Sequence, residues 1–280
     1  MSKVVKKYLY RNILAKTNNP TEIEMEFDDL ELKEFMEETS VGQLESNRKK
    51  NRYQNIIPYD YTIVKLDVDD ESSDYINASY IKGFSGDREY IAAQAPLRNT
   101  VEDFWKMIIQ NHVKIIVMIT KLVESNKQKC FKYYPCPSKT LKFGDITVRT
   151  LYQLNFENHC VREIQLKDQN DRQYSVTQIQ YQNWPDFSIP VNKYEMINFC
   201  REVRKRQGNR KNLMVVHCSA GVGRTGTFIA LDIIRKKIKR RQKFDIMEIV
   251  TELRRQRMKM VQSQLQYEFL YGCAVALINR

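Results

Sequence analysis

A chain of 280 residues that is 42% hydrophobic and 29% charged can bury one large core. Nine glycines, seven prolines and no low-complexity run leave no flexible linker, so residues 1–280 are expected to form a single domain, with 1–44 as a helical N-terminal part. The formal charge of +12 describes a basic surface, more often merely solvated than functional; it would suit an anionic partner without choosing which.

In chain order, the basic start MSKVVKKYLYRNILAK lacks the apolar core of a secretory leader, and no later run approaches the roughly 18 apolar residues of a membrane span. The protein is expected to stay in the cytoplasm. Ile23 to Thr39 carry apolar positions at helical spacing. SNRKKNRYQNIIPYD (46–60) reads as a loop, and DYINASYI and REYIAAQAP as strands. In NTVEDFWKMIIQ, Thr100 with Asp103 three residues on makes a capping-box pattern, and Val101, Phe104, Trp105 and Ile108 form an apolar helix face. VKIIVMIT reads as a strand covered on both faces. ITVRTLYQL, CVREIQLKD and QYSVTQIQYQNW alternate as antiparallel strands do. Pro190 is expected to open a helix that ends at Gly208. LMVVH is a second buried strand, followed by a helix over RTGTFIALDIIRKKIKRR, another capped by Asp245 with Glu248 three later, and a last one from about Gln262. Strands mixed with helices predict one α/β (α+β) domain around a mixed sheet.

Six cysteines, at 130, 136, 160, 200, 218 and 273, are spaced irregularly without C-x-x-C pairs, which excludes a disulfide scaffold. Three histidines, at 112, 159 and 217, leave no usual zinc set, and no metal or cofactor is expected. The chemistry concentrates in VVHCSAGVGRTGTF (215–228). A buried strand ends at His217, and a helix begins at Arg224 and Thr225. Between them, Cys218, Ser219, Ala220, Gly221, Val222 and Gly223 form a loop whose N–H groups can converge on one oxyanion at a helix N-terminus. Donors that stabilise a phosphate dianion also stabilise a thiolate, which makes Cys218 a candidate nucleophile. Arg224 can fork two parallel hydrogen bonds onto phosphate oxygens. His217 is its neighbour on a strand and should face away from the thiol, so it is not read as the base. No nucleotide-binding glycine pattern is present.

The pattern H-C-x5-R-T resembles the signature of the phosphotyrosine-specific protein tyrosine phosphatases. KNRYQNIIPYD, DYINASYI, YIAAQAP, NTVEDFWKMI, NWPDFSIP and MVQSQLQYEFLY resemble that family's other blocks, in its order, from about residue 45 onward. The resemblance implies a highly twisted mixed sheet with helices on both faces, and metal-independent protein-tyrosine-phosphatase activity through a cysteinyl-phosphate. It assigns Asp186 as general acid and then base, on a loop hinged by Trp184 and Pro185. Gln262 with Gln266 would orient water, and Thr225 would hydrogen-bond the departing thiolate. Glu124 and Lys129 would steady Arg224, Tyr53 would wall the pocket, and Asn55 would hold the peptide backbone. Taken alone, Trp184 would more often be core, Tyr53 a surface aromatic and Asp186 a turn residue.

The chain departs from the family pattern at Asn183, Phe187 and Ser188 around the acid, which implies altered loop closure, and at Tyr134, a change of packing. Two other readings compete: a silent phosphotyrosine-binding module on the same fold, disfavoured because Cys218, Arg224, Asp186, Tyr53 and Gln262 are all kept, and RNA or anionic-lipid contact through the basic run Arg235, Lys236, Lys237, Lys239, Arg240, Arg241 and Lys243. The expected partners are tyrosine-phosphorylated proteins or peptides, with nucleic acid and membrane contacts not expected and the chain a monomer. Because Met1 opens a compact chain that stops where the domain does, a virus-encoded member resembling those of polydnaviruses is the expected source.

Overall fold

The structure, a computed structural model, describes residues 11–33, 35, 37–68, 74–185, 188–208 and 211–279. Its strands are β1 (Ile63–Lys65), β2 (Tyr75–Lys82), β3 (Arg88–Ala93), β4 (Ile115–Met118), β5 (Val123–Glu124), β6 (Lys127–Gln128), β7 (Thr140–Phe143), β8 (Ile146–Asn155), β9 (His159–Lys167), β10 (Gln173–Tyr181) and β11 (Met214–His217). Among the described residues, nine of them form one mixed sheet in the order β1-β2-β3-β11-β4-β10-β9-β8-β7, and β5 and β6 pair apart as a hairpin. The centre of the sheet is parallel: β11 lies between β3 and β4, and β4 also pairs with β10. The outer pairs are antiparallel.

The helices are α1 (Pro20–Leu32), α2 (Ser40–Gln43), α3 (Glu45–Arg48), α4 (Val101–Gln110), α5 (Lys193–Gln207), α6 (Gly223–Lys239), α7 (Ile246–Gln256) and α8 (Gln264–Ile278). The expected architecture of a mixed sheet between helical layers is what the chain forms. Side chains alternate across a strand, and the central strands feed two cores. Ile115 and Val117 of β4 and Met214 and Val216 of β11 face the helices α1 and α5 to α8. Ile116, Met118 and Val215 face α4. Being wanted on both faces is why these strands read as unbroken apolar runs.

Several boundaries differ from expectation, each for a local reason. Residues 11–17 are helical ahead of α1, and α1 itself stops at Leu32 rather than Thr39. The 46–60 loop overlaps the single turn α3, after which Arg52 ties it to the Ala95 and Pro96 carbonyls. Thr100 precedes α4, but no capping box forms: its hydroxyl accepts from the Leu97 N–H at 2.9 Å instead. Asp103 is drawn to Lys50, at 3.1 Å. Pro190 does not open α5; Asn192 does, accepting from the Tyr194 N–H at 2.8 Å. Asp245 caps α7 as expected. Ser263 caps α8 and places Gln262 just outside that helix.

Candidate active site

The four central strands run parallel, and their C-terminal ends open on one crevice, where ligands bind in open α/β sheets. Beyond β3 come Gln94 to Pro96, beyond β4 the β5–β6 hairpin, beyond β10 Trp184 and Pro185, and beyond β11 the 218–223 loop. The sequence thus gathers residues far apart in the chain at one sheet edge.

The 218–223 loop is held by its carbonyls. The His217 carbonyl accepts from the Ile119 N–H at 2.8 Å and the Ser219 carbonyl from the Ala95 N–H at 2.9 Å. The Arg257 guanidinium donates to the carbonyls of Gly221 at 2.9 Å and Ala220 at 3.1 Å. The Val222 carbonyl accepts from the N–H groups of Gly226 and Val261, at 2.7 and 3.3 Å. His217 Nδ1 donates to the Cys218 carbonyl at 3.1 Å. With every carbonyl from 217 to 222 engaged, none is left to meet an anion on the concave side of the loop. There the Gly221 N–H lies 3.2 Å from Cys218 Sγ. Gly221 makes the turn at φ +75°, and a Cβ there would stand 2.2 Å from the Ala93 carbonyl oxygen, so only glycine fits.

Cys218 is 5% exposed, at the floor of a cleft of about 290 Å³. Arg224, in the first turn of α6, is gripped edge-on by Glu124 of β5, Nη1 to Oε1 at 2.7 Å and Nη2 to Oε2 at 2.9 Å. Its Nη2 also donates to the Pro185 carbonyl at 3.3 Å. Lys129 follows β6 and lines the cleft. Trp184 is buried and donates through Nε1 to the Ser188 carbonyl at 2.7 Å. Asp186 and Phe187 lie outside the described residues. Tyr53 stands at the mouth, its hydroxyl 3.0 Å from Ser219 Oγ, with Asn55 beside it in the lining. Gln262 and Gln266 line the opposite wall, the Gln262 N–H donating to Gln266 Oε1 at 3.0 Å. The Thr225 hydroxyl is buried and makes no hydrogen bond among the described residues. Gly221, Val222 and Thr225 shape the floor from behind rather than lining the cleft.

His217 faces away from the thiol, toward the second core. Its Nε2 meets the Tyr133 hydroxyl at 2.8 Å, and its ring packs edge-on against Phe104. Complete burial pulls its pKa down to about 4, so it stays neutral.

Sequence reasoning missed three participants. Arg257, fully buried, bridges the loop carbonyls to Ser79 Oγ and Asn77 Oδ1 at 3.1 and 2.7 Å, and burial pulls its pKa down to about 10. It sits in the cationic run ELRRQR, which reads as a solvated helix end. The β5–β6 hairpin turns through Ser125 and Asn126, both at positive φ, without the Asn-Gly signal that marks such turns. Ile56 carries no chemical signal and completes the lining of the cleft beside Ser188, already marked as a departure from the family pattern.

A loop whose carbonyls are all engaged, a thiol that meets one of its N–H groups, and an arginine lining the same cleft make an arrangement suited to an anion. Comparison with known proteins gives the family. The family model described as Protein-tyrosine phosphatase matches residues 47–276. The chain is 38% identical to human "Receptor-type tyrosine-protein phosphatase eta" over 91% of its own length and 19% of that protein's. It is 40% identical to "Phosphatidylinositol phosphatase PTPRQ" of Rattus norvegicus over 94% of its length and 12% of that protein's. Among solved structures, "PTPN18 in complex with HER2-pY1196 phosphor-peptides" superposes with a TM-score of 0.90 at 30% identity, covering 96% of this chain and 99% of that one. The chain belongs to the protein-tyrosine phosphatase family. It spans under a quarter of the two curated relatives, both of them mammalian, and the expected viral origin draws nothing from them. No helix among the described residues is long and apolar enough to cross a membrane.

Proposed function

We propose that the chain hydrolyses phosphotyrosine in proteins by two phosphoryl transfers. The observation that carries this is the loop whose carbonyls are all engaged while the Gly221 N–H lies 3.2 Å from Cys218 Sγ, in the same cleft as Arg224. Phosphate charge is met by the loop's N–H groups and by Arg224. A guanidinium carries five donors, enough for Glu124 and for two phosphate oxygens.

Cys218 Sγ attacks phosphorus, the S–P bond forms and the P–O bond to the aryl group breaks. The phenol is a poor leaving group as its anion, so Asp186 delivers the proton to that oxygen. In the second transfer, Asp186 takes a proton from a water that Gln262 and Gln266 orient. The water oxygen bonds phosphorus, the S–P bond breaks, and the departing thiolate accepts from Thr225. Trp184 and Pro185 carry the acid, and the Pro185 contact to Arg224 couples that loop to the phosphate clamp. Lys129 and Glu124 hold the other side of the clamp. Tyr53 and Asn55 at the mouth favour a long aryl phosphate over phosphoserine, since the thiol lies at the floor.

Purified protein should release phosphate from a phosphotyrosyl peptide, and C218S should release none. No release from the wild-type chain would overturn the proposal in favour of a phosphopeptide-binding module, which the same peptide would report as binding without turnover. The variant D186A should retain substrate while turning over at least about a hundredfold more slowly.

A further inference from the structure

On β9, separated from β11 by β4 and β10, lies a buried cation that the chemistry above does not use. Arg162 is 6% exposed, and among the described residues no carboxylate pairs with it. Its Nη1 donates to Gln178 Oε1 at 2.7 Å and to Gln180 Oε1 at 2.9 Å, its Nε to Gln153 Oε1 at 2.7 Å, and the Tyr134 ring lies 4.2 Å from its centre. Burying a charge among neutral amides is costly, so the arrangement asks for a reason.

Arginine can only donate, so both glutamines of β10 must turn their oxygens to it and their amino groups outward. From Gln178 the chain of bonds has one direction. Gln178 Nε2 donates to the Tyr133 hydroxyl at 2.6 Å, that hydroxyl therefore donates to His217 Nε2 at 2.8 Å, and His217 Nδ1 donates to the Cys218 carbonyl. From Gln180 a second branch runs through the body of Thr120: Gln180 Nε2 donates to its carbonyl at 2.9 Å, and its hydroxyl, shared between the Lys121 carbonyl at 3.0 Å and Glu124 Oε1 at 3.1 Å, reaches the carboxylate that grips Arg224. Every side chain on both branches up to Glu124 is under 9% exposed, and linked hydrogen bonds out of water polarise one another.

We propose that Arg162 is a positioning residue for both halves of the catalytic loop: through Gln178, Tyr133 and His217 it sets the carbonyl of Cys218, and through Gln180, Thr120 and Glu124 it sets Arg224. The inference rests on Cys218 as nucleophile and Arg224 as phosphate clamp. A buried arginine that merely stitched β8, β9 and β10 together would hold the fold without selecting between the branches.

The test separates them. Gln178→Leu cuts only the first branch, Gln180→Leu only the second, and Arg162→Met both. Two readouts need no turnover: the rate at which iodoacetate alkylates Cys218 at pH 6, and the protection that inorganic phosphate gives against it. Losing one hydrogen bond in such a chain is worth about tenfold. Q178L should slow alkylation about tenfold and leave the concentration of phosphate needed for half-protection within about twofold. Q180L should raise that concentration about tenfold and leave alkylation within about twofold. R162M should show both effects, and Arg162→Lys, which keeps the charge, should recover part of each. If both glutamine variants lower the melting temperature while leaving both readouts unchanged, or if each moves both readouts alike, the proposal is overturned. Should R162M fail to fold, the glutamine variants decide the question alone. Branch-selective readouts in the variants, together with a wild-type chain that releases no phosphate from a phosphotyrosyl peptide, would sink the proposed activity and leave this inference standing.

Discussion

Gly221 is the residue on which the geometry of the loop turns. Its φ of +75° and the 2.2 Å approach to the Ala93 carbonyl leave no room for a methyl group. Gly221→Ala should therefore push the loop off β3 and lower kcat/KM by at least about a hundredfold, because small misplacements at a reacting centre cost that much; activity within threefold of wild type would refute the tight fit. Arg257→Met, which strips two loop carbonyls of their donor, should cost about 1–3 kcal/mol of stability, as unmet buried acceptors do, and should lose activity beyond what unfolding explains. Urea titration beside kcat/KM separates the two losses. A reactive thiol at Cys218 should also oxidise reversibly to a sulfenic acid, so peroxide should inactivate and added thiol restore; resistance to millimolar peroxide would count against Cys218 as the nucleophile. At this scale, residues whose chemistry is unusual for their setting were legible: a cysteine among glycines beside an arginine has few bland explanations. Arg257 and Arg162 were not, because an arginine in a charged run or an alternating strand reads as surface, and only the packing of α7 against the loop, or of three glutamines around β9, makes it a donor to the interior.

Among elements, legibility followed the length of the periodic pattern. β4 and β11 could be read because both faces are covered and the apolar run is unbroken. α7 could be read because its cap and its apolar face agree. Two-residue strands such as β5 and β6 have no period to detect, and their turn uses Ser125 and Asn126 rather than glycine. That hairpin holds Glu124 and so fixes Arg224, which makes the least legible element one of the closest to the chemistry. Capping shows the same limit: Thr100 and Asp245 carry similar signals, yet only Asp245 accepts from a helix N–H. Asp245→Ala should cost about 1 kcal/mol, or about 2 °C in melting temperature. A destabilisation by Thr100→Ala that equalled it through loss of helix content would contradict the bonding described for that end of α4.

For the molecule as a whole, stability is tied to proton uptake at one buried ring. His217 has an ordinary pKa of 6.5, and burial takes it to about 4 in the folded chain. Above pH 6.5 it is neutral folded or unfolded and contributes no pH dependence. Below that, the unfolded chain binds a proton that the folded chain refuses until about pH 4, so the stability present at neutral pH is lost as the pH falls through this window. Between pH 7 and 5 the loss should be about 2 kcal/mol larger in the wild type than in His217→Asn, measured by urea unfolding; equal slopes would show that the ring is not shielded. The same burial that makes the ring a neutral donor to Cys218 thus sets an acid limit on the fold.

Gly226, one turn into α6, has a bearing of another kind. A Cβ there would stand 2.4 Å from the Val261 backbone nitrogen, so the helix that carries Arg224 seats directly on the backbone leading to Gln262. On the proposed mechanism the two half-reactions draw on residues from either side of this contact, and thickening it should shift their relative timing. Gly226→Ala should lift Gln262 away from the water while leaving the first transfer nearly intact, so that tyrosine appears in a rapid burst of about one equivalent per Cys218 and the phosphoenzyme lingers. Rapid-quench kinetics would show it, and a burst-free progress curve with both steps slowed together would mean that the seat keeps no such time.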